Sequence, residues 1–420
     1  MTIDQSLLED LEWRGLIADS TDREALATAL SAGLKFYVGF DPTAPSMHMG
    51  NLLQIVTAMR LQRAGHTPYA LVGGATGMIG DPKDSGERTL NSLDTVQDWV
   101  DRVRRQIEPF LSFEGGNPAT MVNNYDWTSG LSTIDFLRDV GKHFPVNRML
   151  ARDTVKRRLE SGISYTEFSY VLLQSMDFLE LYRTHGVTLQ FGGSDQWGNI
   201  SSGVELIRRS AGGHAHAFTT PLVTKSDGTK YGKTEGGALW LDPQMMSPYA
   251  FHQFWLNVED AKVGELLRIF TFRSHEEIEE LERQQAESPW LRAAQKALAD
   301  DVTTMVHGAE ETEQAKAAAA ALFGGGELAG LSSATLGAAL AEAGVAGVEG
   351  ESWSVVDLFV SSGLAASRGE ARRTVTEGGA YVNNARVEDP DAELTKADLL
   401  AGEWLVLRRG KKRFAGVRVN

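Results

Sequence analysis

The stretch from Leu34 to Ala64 limits the folds open to this chain of 420 residues more than any other. Leu34 to Phe40 is a short apolar and aromatic run ending at Gly39, Asp41 and Pro42, and Asn51 to Ala64 follows with helical periodicity. A strand running through a stiff loop into a helix is the first part of a strand, helix, strand crossover. The pattern recurs: Pro68 to Val72 enters the glycine-rich Gly73 to Gly80, and Thr120 to Tyr125 and Val187 to Phe191 are further strand candidates among helical segments. Such alternation implies an α/β fold with a parallel sheet, covered by helices on both faces, whose ligands bind beyond the carboxyl ends of the strands. Residues 1–241 are therefore expected to form a Rossmann-like α/β domain.

Beyond Asp242 the strand signals fade. Ser247 to Gly308 is rich in Leu, Glu, Ala and Gln and reads as helices, giving an α-helical domain over 242–322. Leu322 to Gly350 is rich in Gly, Ala and Ser with few aromatics, a composition that packs poorly and predicts a linker over 323–350 with one loose helix at most. Structure resumes at Trp353, so 351–420 is expected to be a small α+β domain. Several domains suit the length, at roughly 100–200 residues each.

Composition narrows the chemistry. With no cysteine, disulfides, thiolate nucleophiles and thiolate-held zinc are excluded, and any metal must sit on oxygen or imidazole. No run approaches the roughly 18 apolar residues of a membrane span, and Met1 to Asp10 carries acids where a secretory signal needs basic residues, which predicts a soluble, cytoplasmic protein. The net charge of -15 excludes a protein that coats nucleic acid with its whole surface. The balance is uneven, however: 351–420 carries eleven Lys plus Arg against ten Asp plus Glu, and 408–420 holds six basic residues and no acid. That tail reads either as a solubilising end or as a contact for RNA.

Two clusters carry the chemistry. In Tyr37-Val38-Gly39-Phe40-Asp41-Pro42-Thr43-Ala44-Pro45-Ser46-Met47-His48-Met49-Gly50-Asn51, His48 arrives at a helix start, whose unpaired N–H groups and dipole favour an anion such as phosphate. Gly50 lets a flat ring approach the first turn. The second cluster is Lys225-Ser226-Asp227-Gly228-Thr229-Lys230-Tyr231-Gly232-Lys233-Thr234, a Gly-flanked loop whose two lysines, three residues apart, can close over a polyphosphate. It is not a P-loop, because Asp227 stands where that motif needs glycine and Glu235-Gly236-Gly237 is no helix start. On the helix predicted over Tyr165 to His185, Tyr170, Gln174 and Asp177 share one stripe opposite Phe168, Val171, Leu172, Phe178 and Leu179. The stripe is either a solvated face or the wall of a pocket, and the lack of lysine and arginine on it favours the pocket.

Together these residues carry a resemblance. His48-Met49-Gly50-Asn51 resembles the first signature of class I aminoacyl-tRNA synthetases, and Lys230-Tyr231-Gly232-Lys233-Thr234 the second, in the form used by bacterial tyrosyl-tRNA synthetases. Gly73-Gly74-Ala75-Thr76, Asn123-Asn124-Tyr125-Asp126-Trp127 and Gly192-Gly193-Ser194-Asp195-Gln196-Trp197 extend the similarity along the chain. The first signature usually ends in histidine; Asn51 can donate a hydrogen bond there but cannot carry charge. The loop after Asp81 offers Lys83, with Arg88 nearby, to phosphate.

The resemblance implies that Tyr37 and Asp177 bind the phenolic hydroxyl of tyrosine, that Tyr170, Gln174 and Asp81 take its ammonium group, that Asn124 belongs to the same pocket, and that Gln196 lies near the reacting carboxylate. It implies an ATP site of Asp41, Thr43, His48, Gly50, Asn51, Gly193, Asp195, Lys230 and Lys233, with Asp195 on the ribose, and catalysis through Thr43, His48, Lys230, Lys233 and Thr234. The substrates would be L-tyrosine, ATP with Mg²⁺ and tRNA(Tyr), in a homodimer with no structural metal and no membrane. The helical domain would bind the anticodon region. The carboxyl-terminal pattern, a helix at Val355 to Ser361, a basic helix with Arg368, Arg372 and Arg373, a strand at Ala380 to Val382 and a turn at Asn383-Asn384, resembles a small RNA-binding domain of ribosomal proteins and pseudouridine synthases. Arg368, Arg372, Lys411 and Lys412 would then contact RNA phosphates. The rivals are a tryptophanyl enzyme of the same fold and an RNA-binding protein that has lost catalysis.

Overall fold

The computed structural model describes residues 7–82, 90–229, 231, 233–234, 237–324, 326–341, 343–410 and 413–419, of which 233, 234, 237, 323 and 324 by backbone alone. The chain divides into two compact units, Met1–Asp242 with Gly264–Glu279, and Pro243–Val263 with Glu280–Asn420.

The first unit is built on a six-stranded sheet. Its strands are β1 (Asp19–Ser20), β2 (Lys35–Phe40), β3 (Thr67–Val72), β4 (Thr120–Asn123), β5 (Leu189–Gly193) and β6 (His216–Thr220), in the order β1-β6-β5-β2-β3-β4. All neighbours run parallel except β1 against β6. The four strands expected from the apolar runs are present, shifted by up to two residues. Strand β6, His-Ala-Phe-Thr-Thr between β1 and β5, gave no such signal. From β2 the chain moves to β3 and β4 on one side, then returns to β5 on the other, so the order reverses between β2 and β5. A parallel sheet opens a crevice at such a reversal, beyond the strand carboxyl ends.

Two helices frame that crevice. Helix α1 (Met49–Arg63) begins at His48, whose Nδ1 accepts from the Gly50 N–H at 3.0 Å, while Asn51 Oδ1 accepts from the His48 N–H at 3.0 Å. This reciprocal cap satisfies two of the amides that a helix start leaves unpaired. Helix α2 (Tyr165–His185) has Ser164 as its cap, accepting from the Glu167 N–H at 3.2 Å, and ends at Gly186 in the left-handed region.

Residues 264–279, read from the sequence as part of the helical domain, belong to the first unit. Arginines from the amino-terminal half draw them there: Arg14 donates to the carbonyls of Arg268 and Arg273 at 3.2 and 3.0 Å, and Arg60 to Thr271. Trp13 stacks on His275 with centroids 3.6 Å apart, and His275 Nε2 lies 2.8 Å from Asp10. Contacts across more than 200 residues leave no local trace in sequence.

In the second unit α3 (Pro248–Leu256), α4 (Ala293–His307) and α5 (Ala309–Gly324) precede the stretch read as a linker. That stretch holds α6 (Ser333–Ala341) and β7 (Val345–Val348) instead of loose chain. Strand β7 pairs parallel to β11 (Arg413–Val419), and the remaining strands of that sheet are β8 (Ala380–Val382), β9 (Ala385–Arg386) and β10 (Trp404–Arg409), in the order β9-β8-β10-β11-β7. Small side chains are what this packing needs. Ala315, Ala318, Ala321, Leu336, Ala339 and Leu340 are buried around Trp404, whose Nε1 donates to Ser333 Oγ at 2.9 Å. The turn Asn383-Asn384 takes positive φ at both residues, 49° and 67°, as a two-residue hairpin requires. Asn384 Nδ2 also donates to the carbonyls of Ala321 and Gly326 at 2.8 and 2.9 Å.

The basic end of the chain forms β10 and β11 rather than a tail, because Leu405, Leu407, Ala415 and Val417 alternate into the core. Arg409 and Arg418 pair with Glu370 and Glu403 at 2.7 and 2.8 Å, and Arg408 lies 4.2 Å from the Tyr381 ring centroid. Among the described residues no helix is long and apolar enough to cross a membrane. Replacing the buried Trp404 leaves a large cavity, so Trp404→Ala is expected to lower stability by about 3–5 kcal/mol. Denaturant unfolding of the full chain checks this, and a loss within experimental error would mean that the packing around Trp404 is not cohesive.

Candidate active site

At the reversal between β2 and β5 lies a cavity of about 420 Å³. Its wall includes Tyr37, Asp41, Thr43, His48, Gly50, Asn51, Asp81, Tyr170, Gln174, Asp177, Gly193, Asp195 and Gln196, thirteen of the residues singled out from sequence. They come from the ends of β2 and β5, the start of α1, the loop after β3 and the polar stripe of α2. That stripe is a pocket wall and not a solvated face: Tyr170, Gln174 and Asp177 are all buried.

One end of the cavity is built around Asp177, which is 1% exposed. Its two oxygens accept from Asn124 Nδ2 at 3.0 Å and Trp127 Nε1 at 2.9 Å. Asn124 does not line the cavity but is fixed behind it, with its Oδ1 accepting from the Ala75 N–H at 2.7 Å. Burial pushes the Asp177 carboxyl up to about 7, against the opposing pull of those two donors. Burial and the charges of Asp177 and Asp41 push the Tyr37 hydroxyl well above its ordinary value, so it remains a neutral donor beside the carboxylate.

In the middle of the cavity Asp41 accepts from Thr76 Oγ1 at 2.6 Å and from the Tyr170 hydroxyl at 2.5 Å. Asp81 accepts from Gln196 Nε2 at 2.8 Å and from Asn199 Nδ2 at 3.2 Å. Gln174 Oε1 is buried without a hydrogen-bond donor among the described residues, which suits a cationic N–H group in the cavity. Trp127, Thr76 and Asn199 carry this network, yet sequence reading gave them no role. Trp127 and Thr76 lay within quoted motifs, whereas nothing local marked Asn199.

The other end is the helix start at His48. Because Nδ1 accepts from the Gly50 N–H, the ring proton resides on Nε2, which makes that nitrogen a donor. Asn51 uses its oxygen in the cap and keeps its Nδ2 as a donor, a role a charge-carrying side chain is not needed for. A Cβ at Gly50 would come within 2.9 Å of His48 Cε1, so glycine here makes room for the imidazole itself as well as for a bound ring.

The segment 239–241, which follows the lysine loop in the chain, pairs with the same helix start through the backbone. Met49 N–H donates to the Leu239 carbonyl at 3.0 Å and Leu241 N–H to the Met47 carbonyl at 2.9 Å, with a bridge between His48 and Trp240. The short hairpin that precedes this pairing matches Lys233 with Ala238 and Thr234 with Gly237, and Ala238, Val223 and Tyr231 line the cavity. Lys230 lies outside the described residues, as do Lys83, Arg88, Lys411 and Lys412, and the side chains of Lys233 and Thr234 are not described. Arg368 and Arg372, remote in sequence from the cavity, pair with Asp357 at 3.1 Å and with Asp391 on the surface of the second unit.

Comparison with known proteins agrees with this geometry. Residues 31–324 match the family described as tRNA synthetases class I (W and Y), and residues 338–417 match the Tyrosine--tRNA ligase SYY-like C-terminal domain. The chain is 62% identical to a tyrosine--tRNA ligase of Streptomyces coelicolor, over 99% of each, and 57% identical to one of Corynebacterium glutamicum, again over 99% of each. The crystal structure of a C-terminally truncated mitochondrial tyrosyl-tRNA synthetase from Aspergillus nidulans superposes with a TM-score of 0.68 at 31% identity, covering 74% of this chain and 92% of that one. The cavity at the strand reversal, the capped His48 helix and similarity along the whole length lead to one assignment: the chain belongs to the tyrosine–tRNA ligase family of class I tRNA synthetases.

Proposed function

We propose that the chain activates L-tyrosine with ATP and transfers the tyrosyl group to the 3′-terminal adenosine of tRNA(Tyr). The observation that carries this reading is the buried carboxylate of Asp177 beside the neutral hydroxyl of Tyr37, at the opposite end of a cavity from the helix start at His48. A phenol can satisfy both groups at once. Phenylalanine brings no hydroxyl to pair with Tyr37 or to add to the Asn124 and Trp127 bonds of Asp177, and tryptophan brings a donor but no acceptor for Tyr37; each missing pairing is worth about 1–3 kcal/mol.

In this reading Asp81, Tyr170 and Gln174 hold the ammonium group and Gln196 lies beside the carboxylate. ATP enters as its Mg²⁺ complex, the ion being part of the substrate. Its base and ribose take the side of Gly50, Asn51, Gly193 and Asp195, with Asp41 between nucleotide and amino acid. The tyrosine carboxylate attacks the α-phosphorus, a carboxylate–phosphorus bond forms, and the bond to the leaving pyrophosphate breaks. The enzyme needs no covalent intermediate. It supplies orientation and donors for the charge that develops on the phosphates: Thr43, the Nε2–H of His48, and Lys230, Lys233 and Thr234 of the loop. A hydroxyl of the terminal adenosine then attacks the tyrosyl carbonyl and AMP leaves.

Exchange of labelled pyrophosphate into ATP tests the reaction. Tyrosine is expected to support it and tryptophan and phenylalanine are not; silence with every amino acid would instead favour an RNA-binding protein without catalysis. His48→Ala and Lys233→Ala are expected to slow adenylate formation on the order of a hundredfold while leaving tyrosine binding close to unchanged. Equal losses in both would remove these residues from the chemistry.

The pH dependence follows from Asp177. Its ionised form accepts the phenolic O–H more strongly than its protonated form, so tyrosine binding improves as pH rises through about 7. Below that value KM for tyrosine should climb by up to about tenfold per pH unit, and above it level off. Asp177→Asn should abolish the slope, and a flat profile in the parent chain would contradict the assignment.

The second unit supplies the tRNA contacts in this proposal, through the helical region 242–322 and the module 351–420. RNA phosphate would displace Asp357 and Asp391 from Arg368 and Arg372, and Lys411 and Lys412 would extend the same surface. A homodimer is supported by Ile134, Leu137, Val146, Leu150, Leu159 and Tyr165, large apolar side chains exposed along one segment of the first unit. Arg368→Ala should therefore weaken tRNA charging but not pyrophosphate exchange, and sedimentation should give twice the chain mass. Unchanged charging or a monomer would count against the respective half of the proposal.

A further inference from the structure

Arg152 does not line the catalytic cavity, yet it is tied to the wall of that cavity. Its Nη2 donates to Asn199 Oδ1. The guanidinium rests against Gly198, where a Cβ would come within 3.1 Å of Nη2 and 3.3 Å of Nε, so any larger residue would crowd it in this seat. Asn199 lies in the first turn of the helix Trp197–Ala211 and is 2% exposed. Its Nδ2 donates to Asp81 Oδ1 at 3.2 Å and to Gln196 Oε1 at 2.9 Å, and Gln196 Nε2 donates to Asp81 Oδ2 at 2.8 Å.

An amide side chain has one accepting end and one donating end. Arg152 occupies the accepting end of Asn199, which forces the donating end toward the Asp81 carboxylate and Gln196. Without the guanidinium the amide can turn over, and its oxygen would then oppose a carboxylate across a buried contact. Arg152 reaches Asn199 from the far side: it lines a separate cavity of about 290 Å³ with His143, Phe144, Met149 and Glu205. Burial holds the Arg152 guanidinium below its ordinary value, and the charge of Asp81 opposes that effect, so the two groups sense each other through the amide.

We propose that Arg152 is a positioning residue for tyrosine, acting through Asn199 to orient Asp81 and Gln196 toward the ammonium and carboxylate groups of the substrate. This rests on the reading of Asp81 and Gln196 given above. The test uses the full chain, with pyrophosphate exchange followed separately against tyrosine and against ATP in Arg152→Met, Arg152→Lys, Asn199→Ala and the Arg152→Met, Asn199→Ala pair. For Arg152→Met, KM for tyrosine is expected to rise on the order of ten- to a hundredfold, the range for loss of a charge-assisted hydrogen bond. KM for ATP should stay within about twofold, and the pair should be no worse than its more damaged member. Arg152→Lys, which keeps the donor, should recover part of the tyrosine affinity. If Arg152→Met does not fold, the lysine variant carries the test by a smaller rise in the same constant with ATP unaffected. An unchanged tyrosine KM, an equal rise in both constants, or full additivity with Asn199→Ala would overturn the proposal. Exchange by the parent chain separates the two levels: no activity with tyrosine removes the reading of the cavity, whereas an active parent with an insensitive Arg152 removes the positioning role alone.

Discussion

The cavity depends on holding a carboxylate where water cannot reach it. Burying Asp177 opposes its ionisation, and the protein offsets that with two N–H donors, from Asn124 and Trp127. Those donors come from the turn after β4, the carboxylate from α2, and the neighbouring phenol of Tyr37 from β2. A change that loosens any of the three exposes the charge to water or leaves it unpaired. In the proposed reading the same arrangement makes one end of the cavity selective, since a ligand that brings no hydroxyl adds no bond to either Asp177 or Tyr37.

The opposite end follows from sheet topology and a helix cap. The strand order reverses between β2 and β5, which opens space beyond their carboxyl ends. Helix α1 begins at that space because the His48 ring caps the Gly50 amide and Asn51 caps the His48 amide, and the cap also fixes the imidazole tautomer. The segment around Trp240 then pairs with Met47 to Met49 through the backbone. The buried carboxylate and the capped helix start are thus supported by separate elements and meet only in the cavity between them.

In the second unit, composition misled where packing did not. Gly, Ala and Ser between Leu322 and Gly350 look like a linker because they offer little apolar area, yet small side chains are what lets α5 and α6 close on Trp404. The basic run near the carboxyl end looks like a tail because its charges are conspicuous. Its hidden period-two alternation of Leu405, Leu407, Ala415 and Val417 decides instead that it is sheet. Several of its arginines are neutralised by acids brought from elsewhere in the unit, Arg409 by Glu370 and Arg418 by Glu403.

What the amino-acid order determined by itself was local: the strand, loop, helix rhythm, the helix start at His48, the stripe of Tyr170, Gln174 and Asp177, and the turn at Asn383-Asn384. Periodicity and backbone preference act over a few residues, so these could be read in advance, and together with the order of motifs they pointed to the family. Tertiary structure alone decided that the stripe faces a cavity, that Trp127 and Asn124 donate to Asp177, that 264–279 joins the amino-terminal half through Arg14 and Arg60, and that Arg152 reaches Asp81 by way of Asn199. Each of these is a hydrogen bond or packing contact between residues distant along the chain. Such pairings are fixed by the fold's geometry, and nothing in the neighbouring sequence of either partner encodes them.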